Sequence, residues 1–209
     1  MVRRSSCEYS KQHSDSMKEI ILIGGGGHCK AVIDVIEQEG EYKIAGIIDA
    51  PDLLGTEVLG YPVIGDDANL DKIVTSYKFA FITVGQIKTP AIRTKLFNLA
   101  LRVGFVVPNI ISPYAYVSDH AQLGKGTVIM HGAIVNASAI VGENCIINSN
   151  ALVEHDSVIE DFCHISTGAT INGGVILREG SFVGSGVTTK QDIEIEKYSF
   201  VKAGKVVVK

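Results

Sequence analysis

Residues 117–141 read VSDHAQ LGKGTV IMHGAI VNASAI V, and a branched aliphatic residue opens each group of six. Four positions after each aliphatic stands a smaller residue, for example Ala121, Thr127 and Ala133. Because side chains alternate faces along a strand, the small residue of one group and the aliphatic two positions later point inward together. The aliphatics continue without a miss at Val117, Leu123, Ile129, Val135, Val141, Ile147, Val153, Ile159, Ile165, Ile171, Leu177 and Val183.

A six-residue period of this kind predicts flat faces joined by corners. Three faces close a coil of about 18 residues, which is the hexapeptide class of β-helix. Glycine and asparagine crowd the position after the aliphatic, as in Gly124, Asn136 and Gly142, and favour a sharp corner there. We predict a left-handed parallel β-helix over residues 109–209, with Cys145 and Cys163 stacked on successive coils as reduced thiols.

The first half of the chain has a different period. Short β-rich runs at 20–23, 44–48, 79–84 and 105–107 alternate with helical patterns at 67–75 and 91–102. After the first strand, Ala31, Val32, Val35 and Ile36 fall on one helical face, and Gly40 is the expected stop. Residues 17–108 therefore predict an α/β half-Rossmann domain with a parallel sheet of about four strands.

Composition excludes several classes of function. The chain has 209 residues, 46% of them hydrophobic, a formal net charge of −4 and no block of lysine or arginine, so nucleic acid is not an expected partner. No apolar run approaches the roughly 18 residues of a membrane span, and we expect a cytoplasmic protein without membrane insertion. Residues 1–16 are polar, precede Met17 and are predicted to form a disordered leader.

A glycine run, Gly24 to Gly27, follows the first predicted strand. Glycines at a helix N-terminus let the backbone approach phosphate groups, where unpaired N–H groups can bind them. The dinucleotide fingerprint fails, because Cys29 stands where its third glycine belongs, and this disfavours NAD.

Two further residues end predicted strands of this half. Asp49 ends the second strand and is predicted to bind the ribose or base of a nucleotide, and Gly85 ends the third and is predicted to lie over the same crevice. Lys30 and Arg93 are predicted to be solvated charges on helix faces.

The stretch 153–166 reads VEHDSVIEDFCHIS. Together with the glycine loop it resembles the sialic acid O-acetyltransferase family, which includes N-acetyltransferases of nucleotide-linked 4-amino sugars of the bacillosamine and perosamine type. The resemblance implies acetyl-CoA as co-substrate, no metal, a homotrimer, His155 as general base and Asp156 as the acid that raises its basicity. This is chemically sound, because an imidazole with a pKa near 6.5 accepts a proton at neutral pH and an adjacent carboxylate stabilises the imidazolium.

The resemblance implies roles for other residues as well. Gly24, Gly26, Gly27 and His28 would form the nucleotide-sugar loop. On the β-helix, His164 would contact the thioester region of acetyl-CoA, Gly173 would admit the pantetheine arm, and Ser185, Ala203 and Gly204 would offer backbone contacts to coenzyme A. His155 and His164 are half a coil apart, so we expect the acceptor and donor sites to be completed across a subunit interface.

The predicted function is acetyl transfer from acetyl-CoA to the amine of a nucleotide-linked amino sugar, with a UDP-linked 4-amino-4,6-dideoxy sugar of bacterial glycan biosynthesis favoured. O-acetylation of a sialic acid is the nearest alternative. A hexapeptide carbonic anhydrase would need three zinc histidines, and His120, His131, His155 and His164 include no closely spaced pair. A nucleotidyltransferase would need a longer N-terminal half, and a non-catalytic nucleotide-binding scaffold is the remaining alternative.

Overall fold

The computed structural model describes residues 17–209 and consists of an N-terminal α/β domain followed by a left-handed β-helix. The predicted leader at 1–16 lies outside the described residues. Within 17–209, no helix is long and apolar enough to cross a membrane.

The N-terminal sheet has five strands in the order β3-β4-β2-β1-β5. All neighbours are parallel except β3, which is antiparallel to β4. Chain order runs from β1 outward to β4 and then crosses to β5 on the other side of β1, so the topological switch point lies between β1 and β5. The elements are β1 (Lys18–Ile23), α1 (Gly27–Glu39), β2 (Tyr42–Ile48), β3 (Glu57–Val58), β4 (Tyr61–Gly65), α2 (Leu70–Ile73), β5 (Phe79–Ile82) and α3 (Ala91–Val103).

Two predictions about this sheet are wrong. The expected strand at 105–107 is reduced to a single bridge between Phe79 and Val106. The strand β4 was not expected, because Gly60 and Pro62 favour a loop. Pro62 is tolerated because it lies opposite Glu57 of the two-residue edge strand β3, where a missing N–H removes little pairing.

Helix α1 begins at Gly27, the last residue of the glycine run, and stops, as predicted, at Gly40, its C-cap, which has a left-handed φ of 72°. Its buried face confirms Val32, Val35 and Ile36. Ala31 is exposed instead, and Ile33 takes its place in the core. The buried stripe of the helix is therefore rotated slightly from the predicted one.

The β-helix is a prism of three parallel sheets of two-residue strands. The first sheet holds β6 (Ile110–Ile111), β9 (Val128–Ile129), β12 (Ile146–Ile147), β15 (His164–Ile165), β18 (Phe182–Val183) and β21 (Phe200–Val201). The second holds β7 (Tyr116–Val117), β10 (Ile134–Val135), β13 (Leu152–Val153), β16 (Thr170–Ile171), β19 (Thr188–Thr189) and β22 (Val206–Val207). The third holds β8 (Gln122–Leu123), β11 (Ile140–Val141), β14 (Val158–Ile159), β17 (Ile176–Leu177) and β20 (Glu194–Ile195).

The interior of the prism confirms the predicted pairs of large and small inward residues. Val153, Ile159 and Ile165 are fully buried, and so are the small residues Ala151 and Ala169. Each strand pairs with the strand 18 residues away, for example Leu152 with Thr170. Cys145 and Cys163 are buried free thiols, as predicted.

The corners differ from the prediction in one respect. From Gly126 onward, the left-handed residue of each turn stands three positions after the inward residue of the strand, as at Asn144 (φ 48°) and Asp156 (φ 60°). Gly142, which directly follows the aliphatic Val141, has no room for a side chain. A Cβ on Gly142 would lie 2.3 Å from an oxygen of Asp161, because successive coils meet closely there.

The N-terminal domain packs on the first sheet of the prism. The outward residues Ile110, Val128 and Ile146 are fully buried in a core shared with that domain. At the edge of this interface, His131 joins Ser112 (2.6 Å from Nδ1) and Asp34 of α1 (2.8 Å from Nε2). The packing fixes how the glycine loop faces the β-helix.

Candidate active site

His155 stands in the corner that joins β13 and β14. Its Nδ1 lies 2.7 Å from a carboxylate oxygen of Asp156. The carboxylate accepts, so Nδ1 carries the hydrogen and Nε2 keeps its free lone pair. Both side chains are about two-thirds exposed, at 64% and 66%. The arrangement leaves an accessible, oriented imidazole nitrogen that can take a proton.

The charges around this imidazole favour its protonated form. The hydrogen bond that Nδ1 donates to Asp156 raises the pKa of His155 above its ordinary value, and the carboxylates of Glu154 and Asp192 add to that increase. Asp156 occupies the left-handed turn position, which aspartate tolerates better than most residues. The turn itself thus holds the carboxylate beside the ring.

Replacing Asp156 by asparagine is expected to lower the pKa of His155. A base acts only when it is neutral, so activity falls as pH drops through that pKa, and the acid limb of kcat/KM is expected to move to lower pH. The plateau is expected to fall roughly tenfold, because a weaker base accepts the proton less readily. The pH profile of kcat/KM measures both effects, with the exposed Asp119→Asn as control; an unmoved acid limb would contradict the pairing.

Gly173 lies one coil away from His155, as the spacing predicts. A Cβ at this position would lie 2.8 Å from Cε1 and 2.9 Å from Nε2 of His155. Ala137 and Gln191 occupy the same corner position on other coils, so the backbone there does not require glycine. The missing side chain keeps the free edge of the imidazole open.

Gly173→Ala is therefore expected to reduce acetyl transfer by roughly 100-fold, because the methyl group displaces or covers Nε2. The free energy of unfolding is expected to change by less than about 0.5 kcal/mol. Steady-state kinetics and urea unfolding measure the two quantities on one preparation. Full activity in this variant would show that the space above His155 is not used.

A cavity of about 410 Å³ surrounds this corner. Three carboxylates line it, those of Glu154, Asp156 and Asp192, and among the described lining residues there is no lysine or arginine. Adding 18 to the number of His155 predicts Gly173 and then Gln191, so the stacking period alone would have found part of this lining. The full set is Glu154, His155, Asp156, Asn172, Gly173, Gly174, Gln191 and Asp192.

A second cavity, of about 450 Å³, opens at the carboxyl ends of the N-terminal strands. Gly24 and Asp49 line it, as predicted. A carboxylate oxygen of Asp49 accepts from the N–H of Gly25 at 2.5 Å, and the other accepts from Ala50 at 2.7 Å. Gly24 has a φ of 106°, and a Cβ there would lie 2.4 Å from Val84, so only glycine fits. The crevice is at the switch point where α/β folds bind nucleotides.

The other residues predicted for this site, Gly26, Gly27, His28 and Gly85, are not among those that line the cavity, and the expectation for Gly85 is wrong. Gly26 and Gly27 are exposed at the start of α1, with open space around them. Gly85 packs on His28, since a Cβ at Gly85 would lie 3.4 Å from that of His28. Burial, together with the nearby charges of Arg93 and His164, lowers the pKa of His28 to about 3. His28 is thus a neutral ring between the loop and the β-helix.

His164 lies in the interface between the two domains, on a different sheet from the strand that precedes His155. Its Nδ1 donates to the carbonyl of Gln86 at 2.7 Å, and its Nε2 accepts from Asn148 at 3.1 Å. The side chain is 7% exposed, and burial lowers its pKa to about 4. Both ring nitrogens are engaged within the chain, and the structure does not bring His164 together with His155.

The prediction that Arg93 is a solvated charge is wrong. Arg93 is 1% exposed, and its guanidinium donates to the carbonyl of Val84 at 2.7 Å and to that of Asn144 at 2.8 Å. Helical periodicity places Arg93 on a polar face of the helix, but it cannot show that this face contacts backbone carbonyls of the other domain. Lys30 is exposed, as predicted.

The remaining predicted residues lie in corners that follow strands of the first sheet of the prism. Ser185 is exposed, and its hydroxyl lies 2.9 Å from that of Ser166. Ala203 and Gly204 are exposed one coil further on. Within residues 17–209, no three side chains of histidine, cysteine, aspartate or glutamate form a group able to hold a metal ion.

Comparisons with known proteins agree with this architecture. A family model described as the PglD N-terminal domain matches residues 19–99, and a model for six repeats of the bacterial transferase hexapeptide matches residues 120–155. A search of curated protein sequences found no match.

Several solved structures resemble the whole chain. The acetyltransferase domain of PglB from Neisseria gonorrhoeae is 31% identical, with a TM-score of 0.85 and 91% of each chain covered. It is also known in complex with acetyl coenzyme A.

A variant of perosamine N-acetyltransferase from Caulobacter crescentus, in complex with CoA and GDP-perosamine, is 34% identical, with a TM-score of 0.70 and 93% of this chain and 90% of that one covered. WeeI from Acinetobacter baumannii is 25% identical, with a TM-score of 0.80 and 92% of each chain covered. The chain belongs to the PglD/NeuD-like family of sugar acetyltransferases.

Proposed function

We propose that this acetyltransferase transfers the acetyl group of acetyl-CoA to the amine of a nucleotide-linked amino sugar, with His155 as general base. The observation that carries the choice of an amine is the ring of carboxylates at Glu154, Asp156 and Asp192 around the base. An amino sugar is cationic near neutral pH and is attracted to such a cavity, whereas the carboxylate of a sialic acid is repelled. N-acetylation is therefore favoured over O-acetylation.

The arrangement at His155 supports each proton transfer. The bound ammonium first releases one proton to solvent; the neutral amine then attacks the thioester carbonyl, and Nε2 takes the second proton that the nitrogen loses. Asp156 stabilises the imidazolium through Nδ1. The tetrahedral intermediate collapses, the carbon–sulfur bond breaks, and His155 returns its proton to the departing thiolate. Coenzyme A and the N-acetylated sugar leave, and the base is restored.

The nucleotide half of the substrate would occupy the crevice of the N-terminal domain. Asp49 is held by two backbone N–H groups and can accept from ribose hydroxyls. The exposed N–H groups of Gly26 and Gly27 at the start of α1 would bind the diphosphate. The Caulobacter relative binds GDP-perosamine, which supports a nucleotide sugar here.

The donor would lie along the β-helix, and the complex of the Neisseria relative with acetyl coenzyme A supports this choice of donor. Gly173 would leave room for the pantetheine arm, with Ser185, Ala203 and Gly204 as backbone contacts. His164 would contribute to the donor site indirectly. Its two hydrogen bonds are buried in the domain interface, so it would position Asn148 and the loop at Gln86.

We also propose a homotrimer in which donor and acceptor sites are completed between subunits. Exposed apolar residues on the second and third sheets, Tyr116 (58%), Ile134 (39%) and Ile140 (42%), support burial of these faces. The family resemblance supports a role in bacterial glycan biosynthesis in the cytoplasm and favours a 4-amino-4,6-dideoxy sugar. It also favours UDP as the nucleotide carrier, and the residues that line the nucleotide cavity are relevant to this choice.

The choice of an amine is tested by offering acetyl-CoA with a nucleotide-linked 4-amino sugar, its 4-hydroxy analogue, or a sialic acid. We expect the amine to react at least about 100-fold faster. Asp192→Asn is expected to raise KM for the amino sugar several-fold, with Asp119→Asn unchanged. Faster acetylation of the sialic acid, measured by product mass, would overturn N-acetylation.

A further inference from the structure

The nucleotide cavity has two chemically different ends. Ile23, Gly24 and Val84 form the end at the glycine loop. Asp66, Asp67 and Ala68, which follow β4, form the other end, and Asp49 at the end of β2 lies between them. If the diphosphate binds at the glycine loop and the ribose at Asp49, as the proposed function requires, the base lies at the end of β4.

The carboxylates of Asp66 and Asp67 at this end differ in their hydrogen bonding. One oxygen of Asp66 already accepts from the N–H of Ala68 at 2.9 Å and from the amide of Asn69 at 2.8 Å. Asp66 therefore caps the turn that follows β4. Asp67 accepts no hydrogen bond and forms no ion pair within the described part of the chain, and its side chain is exposed at the cavity. Asp67 is the acceptor available to a ligand.

Apolar side chains line the same cavity. Ile48, Pro51, Ile92 and Leu96 supply apolar surface, and no lysine, arginine or histidine is among the described lining residues. Burial raises the pKa of Asp67, the positive charge of Lys95 opposes that increase, and the charges of Asp66 and Asp49 add to it. A ligand here must bring hydrogen-bond donors.

We propose that Asp67 makes this site selective for guanine, so that the substrate is a GDP-linked amino sugar. Guanine presents N1–H and an N2 amino hydrogen side by side, which matches the two oxygens of one carboxylate in a bidentate pair. This inference rests on the proposed function and revises only the base.

The other bases fit this acceptor less well. Uracil and thymine present one N3–H between two carbonyl oxygens, and these oxygens repel the second oxygen of the carboxylate. Adenine and cytosine present an amino group next to a ring nitrogen that is itself an acceptor. A bidentate pair discriminates by a factor of roughly 10 to 100 between the right base and a wrong one.

The test is binding of nucleoside diphosphates to the full chain by calorimetry. GDP is expected to bind roughly 10- to 100-fold more tightly than UDP, CDP or ADP. Inosine diphosphate lacks only the N2 amino group and is expected to fall between GDP and UDP. Tighter binding of UDP than of GDP would overturn the choice of guanine and leave the proposed acetyl transfer standing.

A change of specificity tests Asp67 itself. Asp67→Asn is expected to weaken GDP roughly tenfold or more and to improve xanthosine diphosphate, whose C2 carbonyl accepts from the new amide. Asp52→Asn is the matched control, because Asp52 is exposed and does not line the cavity. If the variant binds GDP as the unmodified chain does, Asp67 does not read the base. If no nucleoside diphosphate binds either protein, the nucleotide-sugar proposal fails as a whole, which is a different outcome from a wrong base.

Discussion

His155→Ala is expected to lower kcat for acetyl transfer by roughly 100- to 10,000-fold, which is the range that general base catalysis supplies. Without the imidazole, no side chain in the described cavity is both neutral and basic near pH 7, because the other titratable groups lining it are carboxylates. Release of coenzyme A thiol measures the rate.

The fold is expected to survive this change, because the side chain of His155 is 64% exposed and its bonded partner is the exposed Asp156. The unfolding midpoint should therefore match that of the unmodified chain. His120→Ala is the control, since His120 is an exposed histidine of another corner. Undiminished kcat in His155→Ala would remove the base from the mechanism.

Arg93→Met is expected to have the largest effect on stability, about 3 to 5 kcal/mol in the free energy of unfolding. Methionine fills much of the same volume but leaves the carbonyls of Val84 and Asn144 without their donor in a buried place. Each unsatisfied buried acceptor costs about 1 to 3 kcal/mol.

Urea unfolding measures this loss. Lys30→Met is the matched control, because Lys30 is an exposed helical cation and its replacement is expected to change stability by less than about 0.5 kcal/mol. Equal stability of the two variants would mean that the bonds of Arg93 only offset the cost of burying its charge.

Periodicity predicted the parts of the molecule that repeat. Every hexad places its aliphatic residue in the interior of the prism, so the burial of Val153 or Ile165 follows from the six-residue period. The same period predicts that Gly173 stacks on His155. The left-handed position three residues after each aliphatic was missed, because it is filled variously by Gly126, Asn144 or Phe162 and so has no single residue type.

Contacts between the two domains could not be predicted from local sequence. The burial of Arg93 and His164 depends on carbonyl groups of Asn144 and Gln86 that are distant in the chain. Polar residues on a helix or strand predict a solvent-exposed face, and this prediction is wrong where another element covers that face. Asp49 is predicted as a ligand-binding residue because the strand ends of α/β folds converge by topology. Asp67 is not predicted, because it follows β4, a strand whose sequence resembles a loop on account of Gly60 and Pro62.

The most direct test of the proposed reaction is the release of coenzyme A thiol from acetyl-CoA in the presence of GDP- and UDP-linked 4-amino sugars, with product mass recorded. We expect one acetyl group on the sugar amine for each thiol released, and loss of both signals in His155→Ala. Thiol release without a sugar, or no release with any nucleotide-linked amino sugar, would contradict acetyl transfer to a nucleotide-linked amine.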